Sequence, residues 1–134
     1  MNLVDHPTEP GLIFDCDGTL ADTMPLHFLS WQRTMTKYGI ALSEDRFYAL
    51  AGQPTLHIIR TLLREQSLTG DAEAMSEEKD NCFLDLLPQV KPIEPIVAIA
   101  REYRDKCRRG GGSGSSRHAG NEVLSHLVLA GLFD

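Results

Sequence analysis

Residues 12–27, LIFDCDGTLADTMPLH, drive a short apolar run into two aspartates one residue apart, then a glycine, a threonine and a third aspartate. Leu12, Ile13 and Phe14 form a continuous apolar stretch, the pattern of a strand buried on both faces of a parallel sheet. Asp15 then stands where the strand ends, facing the crevice that open α/β sheets use for ligands. Asp17 follows at the period-two spacing that brings it near the same side. A carboxylate in that place can attack phosphorus and form an aspartyl-phosphate. A second carboxyl group beside it can protonate a leaving oxygen and later activate water. Mg²⁺ suits such a pair, because it prefers oxygen ligands and bridges carboxylate to phosphate. Gly18 permits the sharp turn, and Thr19 offers a hydroxyl or a backbone N–H to a phosphate oxygen. The plainer reading is a solvated strand-end turn, where Asp and Gly are common. D-x-D-G alone does not separate the two.

The rest of the chain bounds the problem. At 134 residues, one compact domain with a moderate core is the expectation. Thirteen Lys and Arg against nineteen Asp and Glu leave a net charge of −6, which argues against a nucleic-acid partner. A phosphorylated small substrate remains compatible, because a divalent cation inverts the local sign. Cys16, Cys82 and Cys107 have no C-x-x-C spacing that would point to zinc or redox chemistry. The opening MNLVDHPTEPG lacks a basic stretch followed by an apolar one, so no secretory leader is expected. No apolar run approaches the ~18 residues of a membrane span. A cytoplasmic location without a membrane partner is the resulting expectation.

After the acidic turn the periodicity becomes helical. Pro25 suits a first helical position, Leu26, Leu29, Trp31 and Met35 supply an apolar surface, and Gly39 is a C-terminal stop. Ser43 is an N-cap for a short helix through Leu50. Leu56, Ile59, Leu62 and Leu63 mark a further amphipathic helix. Another runs from about Asp71 to Leu87, and one containing Ile96, Val97, Ile99, Ala100 and Tyr103 ends near Cys107. The last spans roughly Arg117 to Ala130. Only one strand is readable from side chains.

The wider string FDCDGTLADT resembles motif I of the haloacid dehalogenase superfamily, D-x-D-G-T-L-x-D-T, over its full length. The following MPLHFLSW resembles the start of the helical cap in the subfamily that contains β-phosphoglucomutase and small sugar-phosphate phosphatases. The resemblance implies an α/β fold: a partial Rossmann-like core from residues 1–22 and 90–134, with an inserted α-helical cap at 23–89. It implies Asp15 as nucleophile and Asp17 as general acid and base, with Mg²⁺ held by the Asp15 carboxylate and the Asp17 backbone carbonyl. AGQPTLHII resembles the cap's specificity loop. Lys79 in EEKDNCFLDLL resembles a lysine often found on the cap, and His27 the histidine beside the hinge. Each has a plainer alternative, His27 and Lys79 as partly exposed helix residues and Gln53 to Thr55 as a helix start. Phosphomutases of this group tend to carry an arginine in that loop where Thr55 stands here, which tilts the expectation toward a phosphatase.

RRGGGSGSSRHAG, residues 108–120, is the second informative stretch. It resembles the family's motif II, with Ser113 and the backbone N–H of Gly114 binding the phosphoryl group and a helix start adding its positive end. GGGSGSS is equally a flexible-linker composition. The preceding CRRGGG is poor strand material, since glycine costs backbone entropy and brings no side chain, so a degraded second core strand is expected. The motif III lysine and the motif IV acidic residues that the resemblance implies do not follow Phe133 and Asp134, so the expectation is the N-terminal portion of such an enzyme. The expected substrate is a small phosphorylated metabolite. The rivals are a phosphomutase of the same fold and a non-catalytic helical interaction module. Self-association through exposed core surface is a further expectation.

Overall fold

The computed structural model describes residues 10–133. Strand β1 (Leu12–Asp15) leads through the acidic turn into four helices, α1 (Met24–Lys37), α2 (Glu44–Leu50), α3 (Thr55–Glu65) and α4 (Ala72–Leu86). A 3₁₀ turn at Leu87–Gln89 and helix α5 (Glu94–Glu102) return the chain to β2 (Arg109–Gly112), and α6 (Arg117–His126) follows. No helix among the described residues is long and apolar enough to cross a membrane.

Most elements follow from local chemistry. Ser43 caps α2, its side chain accepting from the Arg46 N–H, and Asp71 caps α4 by accepting from Ala74. Gly39, at φ +68°, follows α1 in the left-handed conformation that suits glycine after a helix. On α1 the buried side chains are His27, Ser30, Trp31, Thr34 and Met35, a stripe at helical spacing. Helix α4 buries Ala72, Met75, Lys79, Phe83 and Leu86 in the same way, so a lysine interrupts an otherwise apolar stripe. Two helices end earlier than periodicity suggests. Helix α5 stops at Glu102, and α6 stops at His126, where Val128 turns to φ +57° and the Leu129 N–H returns to the Leu124 carbonyl at 2.7 Å.

The sheet has two parallel strands, with Leu12 opposite Arg109 and Asp15 opposite Gly112. RGGG does form a strand, although its side chains give little reason to expect one. A parallel ladder needs only N–H and C=O groups, and it is extended at both ends by Leu12 N–H to Arg108 O (2.9 Å) and Cys16 N–H to Gly112 O (3.0 Å). One face of β1 is covered, Phe14 packing with Leu20, Val97, Ala100, Leu129 and Leu132. On the opposite face Ile13 is 87% exposed, so the expectation of a strand buried on both faces holds here for one face. A separate apolar cluster, including Trp31, Met35, Phe47, Ile59, Leu62 and Met75, joins α1 to α4.

Candidate active site

Asp15 closes β1 with its carboxylate exposed, accepting from the Thr19 hydroxyl at 2.9 Å. Beyond it the chain folds back on Cys16, whose carbonyl accepts the N–H groups of Thr19, Leu20 and Ala21, while the Gly18 N–H donates to Ala21. Gly18 sits at φ +78°, which a side chain would strain, and an added Cβ would stand 3.0 Å from Met24 Cγ. The turn thus consumes the Gly18 and Thr19 amides, leaving Asp15 exposed and turning Asp17 toward α1 and the serine-rich turn. The Cys16 thiol is buried between them, and burial, with the charges of Asp17 and Asp15, pushes its pKa to about 12. It is an inert neighbour at neutral pH.

Asp17 is the hub of the site. Its Oδ1 accepts from Thr23 Oγ1 at 2.7 Å and His27 Nε2 at 2.9 Å, and its Oδ2 from Ser113 Oγ at 2.5 Å and Ser115 Oγ at 3.1 Å. Burial works against its ionised form, but the hydrogen bond and charge of His27, then Ser113 and Thr23, hold the carboxyl far below the usual range. Thr23 is at the N-cap of α1, yet its side chain caps nothing there; its hydroxyl serves Asp17 instead. Ser113 and Ser115 are fixed to each other by the Ser115 N–H donating to Ser113 Oγ at 3.0 Å.

Behind Asp17 lies a buried His–Lys pair. His27, 5% exposed, stacks on Phe83 with ring centroids 3.9 Å apart. Its Nδ1 is 3.1 Å from Lys79 Nζ, and Lys79 is 1% exposed. An acceptor on one side and an ammonium on the other fix the imidazole as the neutral Nε2–H form, donating to Asp17 and accepting from Lys79. Burial lowers the His27 pKa, and the Lys79 charge lowers it further against the pull of Asp17. Burial also lowers Lys79, opposed by Asp80 at 3.4 Å and by Asp17. Trp31 and Phe83 present their rings 5.5 Å from the ammonium, a setting that favours a cation. Both residues are therefore buried, and the alternative of partly exposed helix positions does not hold.

The aspartates open into a cleft of about 390 Å³ lined by Met24, Trp31, Tyr48, Gln53 and Thr55 on the helical side and by Gly114 and Ser115 on the other. A larger groove of about 680 Å³ follows β2 and α6 past Gly111, Asn121, Leu124 and Phe133. Neither aspartate lines it, so the smaller cleft is the one onto which the acidic turn opens. Among the described residues no three His, Cys, Asp or Glu side chains gather to hold a metal ion. The Asp17 carboxylate, with donors on both oxygens, is unsuited to a metal. The exposed Asp15 carboxylate and the Asp17 backbone carbonyl, which none of the turn's backbone hydrogen bonds uses, fit a cation that keeps much of its own water.

The structure brings Asp15, Asp17, Gly18, His27, Lys79 and Gly114 to this cleft. Ser113 lines the larger groove and reaches Asp17 through its hydroxyl. Thr19, expected to offer its hydroxyl or N–H to phosphate, donates them instead to Asp15 and Cys16. Thr23, Ser115 and the aromatic walls Trp31 and Phe83 were not singled out by sequence. Thr23 closes the D-x-D-G-T-L-x-D-T string and Ser115 lies two residues past Ser113, so both carried a positional signal. Phe83 carried none, because a phenylalanine at helical spacing reads as ordinary core.

The comparisons follow this geometry. Residues 12–134 match the family described as haloacid dehalogenase-like hydrolase. A fructose-1-phosphate phosphatase, YqaB, of Escherichia coli is 32% identical over 92% of this chain and 66% of its own. A phosphorylated carbohydrates phosphatase of Thermotoga maritima is 29% identical over 92% of this chain and 58% of its own. Among solved structures, a β-phosphoglucomutase from Clostridium difficile superposes with a TM-score of 0.78 at 26% identity, over 94% of this chain and 59% of that one. The chain thus spans less than two thirds of the length of each.

Proposed function

Because the chain belongs to the haloacid dehalogenase-like hydrolase family, we propose that its cleft serves the hydrolysis of a small phosphomonoester of sugar-phosphate type. Residues 23–89 would act as the cap over a core formed by the flanking segments. The observation that carries this reading is the exposed Asp15 carboxylate beside an Asp17 held by four donors from two separate segments, the start of α1 and the turn after β2, at the mouth of a cleft of metabolite size. The relatives named for sugar-phosphate chemistry support the substrate class.

In the proposed reaction Asp15 attacks phosphorus, and the bond from phosphorus to the ester oxygen breaks as Asp17 delivers a proton to that oxygen. Water then attacks the aspartyl-phosphate, Asp17 takes the water's proton, and the phosphorus–Asp15 bond breaks to release inorganic phosphate. The resting site stores Asp17 as a carboxylate, ready for the second step. Delivering a proton in the first step requires that Asp17 take one from the bound phosphomonoester's monoanion or from solvent water and loosen its serine contacts. The proton it takes from water in the second step is returned to solvent. Ser113 and the Gly114 amide would then turn to the phosphoryl oxygens. Mg²⁺, held by the Asp15 carboxylate and the Asp17 carbonyl, would neutralise phosphate charge as the nucleophile approaches.

Thr55, where phosphomutases of this group carry arginine, favours transfer to water over transfer to a second sugar hydroxyl. The test is phosphate release from a panel of sugar phosphates that includes fructose 1-phosphate, with and without Mg²⁺, alongside Asp15→Asn. Mg²⁺-dependent turnover lost in Asp15→Asn is the expected result. A cooperatively folded chain that releases no phosphate would refute the activity and favour a helical interaction module.

A further inference from the structure

One backbone contact ties the two sides of the cleft together. The loop between α2 and α3 brings Gly52 against Gly114 of the serine-rich turn. A Cβ built on Gly114 would stand 2.6 Å from the Gly52 carbonyl oxygen, 2.9 Å from its carbon and 3.3 Å from its Cα. The neighbouring glycines differ sharply. Gly110 and Gly112 have open space where a Cβ would go, and Gly111 meets only a ring carbon at 4.0 Å. Composition alone makes this stretch a linker of interchangeable glycines. Geometry singles out one of them.

The kind of obstacle matters as much as the distance. Gly70 has an even closer obstruction, Met75 Cε at 2.3 Å, but that is the mobile end of a side chain. At Gly114 the obstacle is peptide backbone, and no rotamer change relieves it. Gly52 itself lies at φ +85°, a conformation that a residue with a side chain occupies only under strain. The loop must therefore move as a body, and Gln53 and Thr55, which line the cleft, move with it.

We propose that Gly114 is a positioning residue, the bare seat on which the cap loop closes backbone to backbone through Gly52, and that this contact sets the width of the substrate cleft. The role rests on the phosphatase reading for its consequence in catalysis, though the contact is independent of it. Restoring ordinary van der Waals distance of 3.4 Å from 2.6 Å displaces the loop by about 0.8 Å. A misplacement near that size in a reaction site costs up to about 100-fold in rate.

The experiment compares Gly114→Ala with Gly112→Ala, whose new methyl group meets nothing. Trp31 is the single tryptophan, lines the cleft and is 3% exposed, so acrylamide quenching of its fluorescence reports how far the cleft stands open. Gly114→Ala is expected to raise the quenching constant about twofold while its melting transition stays cooperative, and Gly112→Ala is expected to match the unaltered chain. Where phosphate release is measurable, Gly114→Ala lowers kcat/KM by about 10- to 100-fold, mostly through KM. Equal quenching in all three proteins overturns the proposal. A chain without turnover in any form would refute the phosphatase reading, while quenching still decides the seat. The unaltered protein gives a second check that needs no variant: an NOE between the Gly52 and Gly114 α-protons is expected, and its absence overturns the contact.

Discussion

The helices α1 to α4 and the two-stranded sheet solve the problem of stability in opposite ways. The helical side is held by side chains, with Ile59, Leu62 and Met35 almost wholly buried in a continuous apolar cluster. On the sheet side β1 is anchored by Phe14 in its own apolar cluster, but β2 is held largely by backbone: it is Arg-Gly-Gly-Gly, and its contribution is a ladder of N–H and C=O groups. The chemistry sits on the junction. Asp15 and Asp17 leave the sheet, Ser113 and Ser115 follow β2, and His27 and Lys79 reach in from α1 and α4. The loop that ends β1 supplies the two aspartates, and the helical side sets the charge of Asp17 through His27.

The sharpest way to break this division is to damage the helical side. Leu62→Ala removes a side chain that is 1% exposed, and a core truncation of this kind costs about 2–5 kcal/mol. Because His27 and Lys79 are carried on α1 and α4, loss of that packing should also free Asp17. Urea unfolding monitored by circular dichroism is expected to show a lower midpoint with an unchanged slope. A loss under about 1 kcal/mol would mean that the cluster collapses around the gap.

The next effect is electrostatic and tests the junction. His27 has a depressed pKa, so below its ordinary value of 6.5 the unfolded chain binds a proton that the folded chain refuses. Stability therefore falls as pH drops below 6.5, by at most ~1.4 kcal/mol per pH unit for this one group. Lowered Lys79 works in the same direction at higher pH, since the unfolded lysine stays protonated up to 10.5. Asp17 works in the same direction in a lower window: its depressed pKa gives stability that is present above about pH 4 and is lost as the pH falls further into acid. Lys79→Met removes the cation beside His27, so the His27 pKa should rise, while stability should fall by about 1–3 kcal/mol because the buried His27 Nδ1 loses its donor. Urea midpoints in EDTA between about pH 5 and 7, with the His27 ring followed by NMR, measure both. An unmoved His27 pKa in Lys79→Met would disprove the coupling.

How much of this was legible in sequence follows the same division. The helices were readable because their side chains pack: Ser43 and Asp71 announced two starts, and the stripes on α1 and α3 announced two faces. The acidic turn was readable because Asp15, Asp17 and Gly18 belong to one short string in which the two carboxylates and the turn glycine each had a readable chemical reason. Strand β2 was expected only as a degraded core strand, and its pairing was not readable, since a strand paired through glycine leaves no side-chain signature. Lys79 gave no hint of burial either. Its partner His27 is fifty-two residues away, and only the packing of α1 on α4 brings their nitrogens within 3.1 Å.

The smallest effect tests the sheet side directly. If β2 is limited by its missing side chains, giving it one should help. Gly110 lies opposite Ile13 in the parallel register, and a Cβ there meets nothing. Gly110→Val removes backbone freedom from the unfolded chain, worth about 0.5–1 kcal/mol. It also places a β-branched side chain beside Ile13, worth roughly 0.2–1 kcal/mol more. Part of that gain is offset because the Ile13 face is open to solvent, so a net rise of about 0.5 kcal/mol is expected. Amide exchange of Cys16, whose N–H donates to Gly112 across the ladder, should slow about twofold as β2 frays less. Unchanged exchange with raised global stability would place the benefit in the unfolded chain alone. A fall in both would mean that β2 depends on glycine's backbone freedom, and the contrast between side-chain packing and bare ladder would then rest on strain rather than on missing contacts.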